Sequence, residues 1–153
     1  MADKHSRLTS AGRLVWFVER LWYLARELPV RQIPIAQIAE FDQNCWFGPT
    51  TLPTCRAVAQ HARRIFEANL HYPIILSADG YLMDGGHRIA KAYLLQMRAV
   101  AAVQFALDPE PDYILAPEAP LPTEPRILVS AFDSADPPPS WHTCCHSGDA
   151  SCL

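Results

Sequence analysis

No apolar run in this 153-residue chain approaches the roughly 18–20 residues that span a bilayer, because Arg20 and Arg26 interrupt the richest stretch, residues 14–28. A membrane-crossing helix is therefore not expected. Residues 1–10 are polar and lead into no uninterrupted apolar core or small-residue cleavage site, so they do not read as a secretory leader, and the expected location is cytoplasmic. Cysteine is scarce and odd in number: Cys45, Cys55, Cys144, Cys145 and Cys152 read as free thiols rather than as a disulfide framework. A strong charge of one sign is also missing. The net charge is −3, with twelve Lys/Arg against nine Asp/Glu in residues 1–108 and one against seven in residues 109–153. The mild basic excess of the first part can support an anion site, but it falls short of the dense basic face of a duplex-DNA binder. No internal repeat is visible.

What is present is half hydrophobic and 19% charged, which predicts one soluble globular domain with an adequate core. In residues 10–28, SAGRLVWFVERLWYLAREL, apolar side chains at Leu14, Phe17, Val18, Leu21, Leu24 and Leu28 follow helical spacing, with Ser10 as N-cap and Pro29 as stop. Trp16, Trp22 and Tyr23 widen this surface, predicting that an N-terminal helix, residues 1–29, docks on the domain or on a second copy in a homodimer. Residues 30–35 alternate like an edge strand, and residues 36–41 form a short helical turn. Residues 53–70 predict a helix capped by Thr51 or Thr54. Its apolar face carries Cys55, Val58, Ala62, Ile65, Phe66 and Asn69, with Arg56, Gln60, Arg63 and Glu67 opposite. Strands follow at 72–76 and 81–83, joined by Ala78-Asp79-Gly80; then come a helix at 87–96 and a strand at 100–105. The expected fold is α/β (α+β), a small mixed sheet flanked by helices, with its body at residues 30–108. Nine of the fourteen prolines lie between 109 and 139, so residues 109–153 read as a Pro-rich, partly disordered tail.

The chemistry concentrates at Asp84-Gly85-Gly86-His87-Arg88, between a strand and a helix. Two glycines open backbone torsions closed to other residues and let main-chain N–H groups approach a ligand. Unpaired N–H groups and the helix dipole then favour an anion ahead of His87. Arg88 adds a forked, permanent charge and His87 a donor tunable near neutral pH, with Lys91 one turn on. Asp84 can hold a divalent metal or accept from a hydroxyl. A plain tight turn, with His87 and Arg88 solvated, is the competing possibility. Two cations at a helix start cost about 0.3–1 kcal/mol each against the dipole, a cost that a bound anion reverses.

The segment YPIILSADGYLMDGGHRIAKAYLLQ, followed by AVAAVQF, resembles the ParB/sulfiredoxin-like superfamily. In that superfamily a strand pair leads to a Gly-x-His-Arg-type turn and an Ala-rich helix. The resemblance covers residues 30–105, with its specific part at 73–105. CWFGPTTLPTCRAVAQHARRIFEANL, just before it, is similar to a region of small bacterial ParB-like proteins. Sulfiredoxins carry a catalytic cysteine where this chain has Gly86, which argues against sulfinic-acid reduction. Partitioning ParB proteins add a helix-turn-helix domain, and none is read in residues 109–153. The Asp-Gly-x-His-Arg form is closer to a free-serine kinase branch, where His and Arg hold phosphate and an upstream glutamate is the base. That resemblance implies Glu40 as base, with Asp42 as second choice.

The function expected is binding of a nucleoside triphosphate or diphosphate, or another phosphate ester, with metal-assisted phosphoryl transfer or hydrolysis as its catalytic extension. Asp84, His87 and Glu40 would be catalytic. Gly85, Gly86, His87, Arg88, Lys91 and Arg56 would hold the ligand, and Asp84 would hold magnesium. The alternative is a regulatory or dimerisation module with a vestigial phosphate pocket; duplex DNA ranks last. Arg56, His61, Arg63 and Arg64 read as a solvated basic face or as an extension of the anion site, and Cys45-Trp46-Phe47 as an apolar segment that plugs the core, with gripping a base as the alternative. His142, Cys144, Cys145, His146 and Cys152 resemble zinc ligands by type, though their spacing matches no common pattern.

Overall fold

The computed structural model describes residues 3–47 and 52–124. Its N-terminal segment corrects the expectation of one long helix. Strands β1 (Lys4–Thr9) and β2 (Gly12–Phe17) form an antiparallel hairpin, and only then does α1 (Val18–Ala25) begin. The reason lies in two features that periodicity overlooks. Gly12 turns the chain at φ 119° with Leu115 O only 2.6 Å from where a Cβ would sit. Leu14-Val15-Trp16-Phe17 is a continuous β-favouring apolar run, which spacing alone cannot tell from a buried helix. Val15, Trp16 and Phe17 are buried, so the aromatic surface expected to serve a second copy is largely internal.

The third strand of this sheet comes from the far end of the described chain. After β3 (Arg31–Pro34), two short 3-10 turns at Ile35–Gln37 and Ala39–Asp42, α2 (Cys55–Glu67), β4 (Ile74–Leu76), β5 (Leu82–Asp84), α3 (Gly86–Leu94) and β6 (Ala99–Gln104), the chain returns as β7 (Tyr113–Leu115). β7 pairs antiparallel with β2, giving the order β1-β2-β7. Side chains fasten the return. Trp16 Nε1 donates to Pro109 O at 2.8 Å, Phe17 N–H to Asp112 Oδ2 at 2.8 Å, and Arg20 to Glu110 O at 2.7 Å. The first part of the expected tail is therefore built into the fold, while residues 125–153, including the Cys/His cluster, lie outside the described residues.

The second sheet has the order β3-β6-β4-β5, with β4 parallel to β6 and the other pairs antiparallel. β3 is the edge strand its proline predicts. β4 is Ile-Ile-Leu and buried throughout, as a strand covered on both faces should be. Alternation sends Ile74 and Leu76 into a cluster with Ile89 and Ala92 of α3, while Ile75 joins Trp16, Leu21, Ala25 and Met83 on the other face. The sheet is thus sandwiched between α3 and the α1 hairpin unit, and each buried Ile or Leu contributes about 1.5–3 kcal/mol. The fold is mixed α/β.

α2 is the loosest element. Thr54 Oγ1 caps it by accepting from Ala57 N–H at 3.2 Å, as expected. None of its residues is fully buried, and the half-buried ones are Ala57, His61 and Ile65. The expected apolar face is therefore displaced: Val58 is 48% and Phe66 83% exposed. A three-residue stripe, spaced four apart and rotated from that face, contacts the domain, and its middle member is a histidine. No helix among the described residues is long and apolar enough to cross a membrane.

Candidate functional site

The turn between β5 and α3 requires its glycine. Gly85 caps the helix at φ 115° and ψ 16°, and a Cβ there would meet Ile74 Cγ2 at 2.5 Å. The cap has no side-chain hydrogen bond, and the first backbone bond of the turn is Ile89 N–H to Gly85 O at 3.1 Å. The amides of residues 86–88 are the ones an α-helix leaves without intrahelical acceptors.

From this turn consecutive side chains diverge by about 100° and reach different neighbours. Arg88 bends back to Asp84, Nη2 to Oδ2 at 2.6 Å, and the same oxygen accepts from Trp22 Nε1 of α1 at 3.1 Å. The Arg88 guanidinium also lies 5.0 Å from the Trp22 ring centroid. Asp84 and Arg88, expected to meet metal and phosphate, are therefore joined to each other and to α1. The Nε of Arg88 is buried with no partner among the described residues.

His87 turns the other way. Its Nε2 lies 2.9 Å from Nδ1 of His61 on α2, and the two rings are within 14° of coplanar. One imidazole donates its N–H to the lone pair of the other. Trp46 lies flat across both, at 4.8 Å and 9° from His61 and 4.9 Å and 7° from His87, while Phe47 meets His61 edge-on at 5.2 Å. The indole Nε1 is 3.3 Å from where a Gly86 Cβ would stand, so glycine lets the ring reach the helix start. Burial first, then His61 and Arg64, hold the His87 pKa down at about 4; Asp84 opposes and Arg88 adds slightly. Burial, with Arg64 second, also lowers His61. Near neutral pH the pair is thus uncharged, beside a helix start and an exposed cation, Arg64.

Several expected residues stand elsewhere. Lys91 donates from Nζ to Phe66 O at 2.7 Å and Ala68 O at 2.6 Å, closing the carbonyl end of α2 instead of reaching a ligand. Glu40, in the second 3-10 turn, forms no hydrogen bond or ion pair with Asp84 or His87 among the described residues. Its Oε2 is buried without a partner, and its main-chain oxygen accepts from Cys45 Sγ at 3.2 Å. Burial and then Glu40 push the Cys45 thiol up. Arg63 pairs with Glu67 at 2.7 Å in solvent, and Arg56 is exposed. Asp42 is exposed as well.

The expected magnesium ligand is already partnered. Asp84 is engaged by Arg88 and Trp22, and no group of three or more His, Cys, Asp or Glu side chains able to hold a metal stands among the described residues. Of the basic residues on α2, His61 and Arg64 approach the turn. Trp46, expected to plug the core, remains 37% exposed and roofs the histidine pair. A neighbouring aromatic pair in a loop, Trp46-Phe47, was the only signal of that roof in the sequence.

No protein-family model matches the chain, and neither a curated protein nor a solved structure matches it. The geometry of the turn is what bears on function. It combines main-chain donors, two imidazoles held neutral by their surroundings, and Arg64 within electrostatic reach of both.

Proposed function

We propose that this chain binds a nucleotide or another phosphate ester at the first turn of α3, between the main chain of Gly86-His87 and the His61–His87 pair. The observation that carries the proposal is that pair: two hydrogen-bonded imidazoles at an uncapped helix start, their pKa values lowered by burial and by nearby cations. Bringing an anion there offsets Arg64, raises the affinity of the imidazoles for a proton and gives the terminal amides an acceptor. The resemblance of residues 73–105 to the ParB/sulfiredoxin-like superfamily supports the same proposal.

Asp84 and Arg88 set the turn and α1 in this scheme and do not touch the ligand. Binding is the activity proposed, since Glu40 makes no hydrogen bond or ion pair with Asp84 or His87 among the described residues and Asp84 is already paired with Arg88. The regulatory dimer through an aromatic N-terminal helix loses its main support, because Trp16 is buried and Trp22 is bonded to Asp84.

A thermal-shift and calorimetric screen of ATP, ADP, CTP, GTP and inorganic pyrophosphate, with and without magnesium, tests the proposal. A ligand at 100 times its dissociation constant stabilises the fold by about 2.7 kcal/mol. His87→Gln should weaken binding, and affinity for the wild-type chain should rise as pH falls from 8 to 6, because the occupied site takes up protons. Absence of any shift, or equal binding by His87→Gln, would overturn it.

A further inference from the structure

Trp46 is a large aromatic at the turn whose role the phosphate site leaves open. One face of its indole covers two imidazoles that are coplanar within 14°, so that face is filled. The residue is nevertheless 37% exposed, which leaves its opposite face and rim as the ring surface open to a ligand. Its position is fixed from below by the hydrogen-bonded pair and at the rim by Gly86, where Nε1 comes within 3.3 Å of a would-be Cβ. An exposed, flat, immobilised indole beside an anion-binding turn is a surface on which a planar aromatic group can lie at small cost in lost side-chain freedom.

We infer that the outer face of Trp46 is the stacking platform for the base of a nucleotide whose phosphate sits at the turn, an inference that rests on the phosphate reading above. Stacking between a base and an aromatic side chain tolerates any base, because every base has a π-face. The platform would therefore distinguish nucleotides from sugar phosphates and not one base from another. The hydrogen-bonded histidines would act beneath it as a support that keeps the indole flat.

The decisive comparison is between ligands that differ only in the base. Nucleoside 5′-monophosphates and ribose 5-phosphate present the same phosphate, and calorimetry would measure both on the wild-type chain, Trp46→Ala and Trp46→Phe. The wild-type chain should bind the nucleotides roughly tenfold or more tightly than ribose 5-phosphate, given the usual strength of base–aromatic stacking. Trp46→Ala should bring the two to near equality by weakening the nucleotides alone, and Trp46→Phe should keep most of the preference. Nucleotide should also quench a component of tryptophan emission in the wild-type chain that is missing in Trp46→Phe, a readout that does not depend on the alanine variant folding well. Equal binding of both ligands by the wild-type chain, or an unchanged preference in Trp46→Ala, would overturn the platform and leave the phosphate site standing. If neither ligand binds, both proposals fall.

Discussion

Asp84 and Arg88 on one side of the first turn of α3, and His87 on the other, come from the same five-residue stretch, yet their surroundings differ in kind. Toward α1, charge meets charge: the carboxylate accepts from Arg88 and Trp22, and the guanidinium lies beside the Trp22 ring. Toward α2, neutral meets neutral: two imidazoles share a hydrogen bond under a half-open indole, and Arg64, which lowers both, has no ion pair among the described residues. Two ionised partners at i, i+4 that are mostly shielded from water hold elements in place. Cations beside unfilled donors leave something for a ligand to complete. One short motif therefore serves as a fastening on one side and an opening on the other, and helix geometry decides which residue goes where.

The contrast can be broken at its hinge. Gly85→Ala serves neither side: a Cβ would meet Ile74 at 2.5 Å with the backbone in the left-handed region. A loss of about 3–5 kcal/mol is expected in denaturant unfolding, from strain and overpacking together. Arg88→Ala addresses the fastened side alone and should cost about 2–3 kcal/mol by leaving Asp84 half-shielded without its cation. The phosphate affinity remaining in the folded fraction should change far less than in His87→Gln, and the reverse ranking would erase the distinction between the two sides.

Acid sharpens the comparison further. His87, and His5 packed 5.6 Å from Trp16, are both held at about 4 instead of the usual 6.5, chiefly by burial. The unfolded chain therefore takes up protons first as pH falls. Stability should be flat above pH 7 and decline between 6.5 and 4, on the order of 1–2 kcal/mol for each histidine after solvent screening. Ligand at the turn should protect the His87 share and leave the His5 share untouched, which pH-dependent melting with and without phosphate would separate. A smaller effect is expected at Thr54→Ala, about 1 kcal/mol from the lost cap of α2. Because α2 carries His61, that variant should lower ligand affinity more than its stability cost would suggest. Arg56→Ala, at an exposed position with no hydrogen bond or ion pair among the described residues, should change melting and binding by less than about 0.5 kcal/mol.

The central elements were legible in the sequence because each has local punctuation. Pro34 marks an edge, Ala78-Asp79-Gly80 a reversal, and Gly85-Gly86 a strand-to-helix turn, and β3, β4, β5, α3 and β6 follow within a residue or two. The hairpin was not, since residues 14–18 satisfy helical and extended patterns alike and only the contact of Gly12 with β7 separates them. β7 itself was hidden by the prolines around it. At the site, His87 and the helix start could be placed from the motif, and the Asp84–Arg88 pair was implicit in a spacing of four. The partnership of His61 with His87 depends on how α2 sits against α3, and the roof of Trp46 on a loop path, neither of which a one-dimensional pattern encodes. Lys91 illustrates the reverse error: one turn beyond the motif it faces α2's carbonyls, not the ligand side.

The pairing of β2 with β7 also bears on how the protein is made. β2 is a central strand, and its outer neighbour β7 is the last strand described, some hundred residues later. During synthesis Arg13, Leu14 and Val15 must wait with one flank unpaired until Tyr113–Leu115 arrive, so this sheet cannot be completed until β7 is made. A nascent chain stalled at residue 108 should remain sensitive to protease within the first seventeen residues, and one extended past 115 should not.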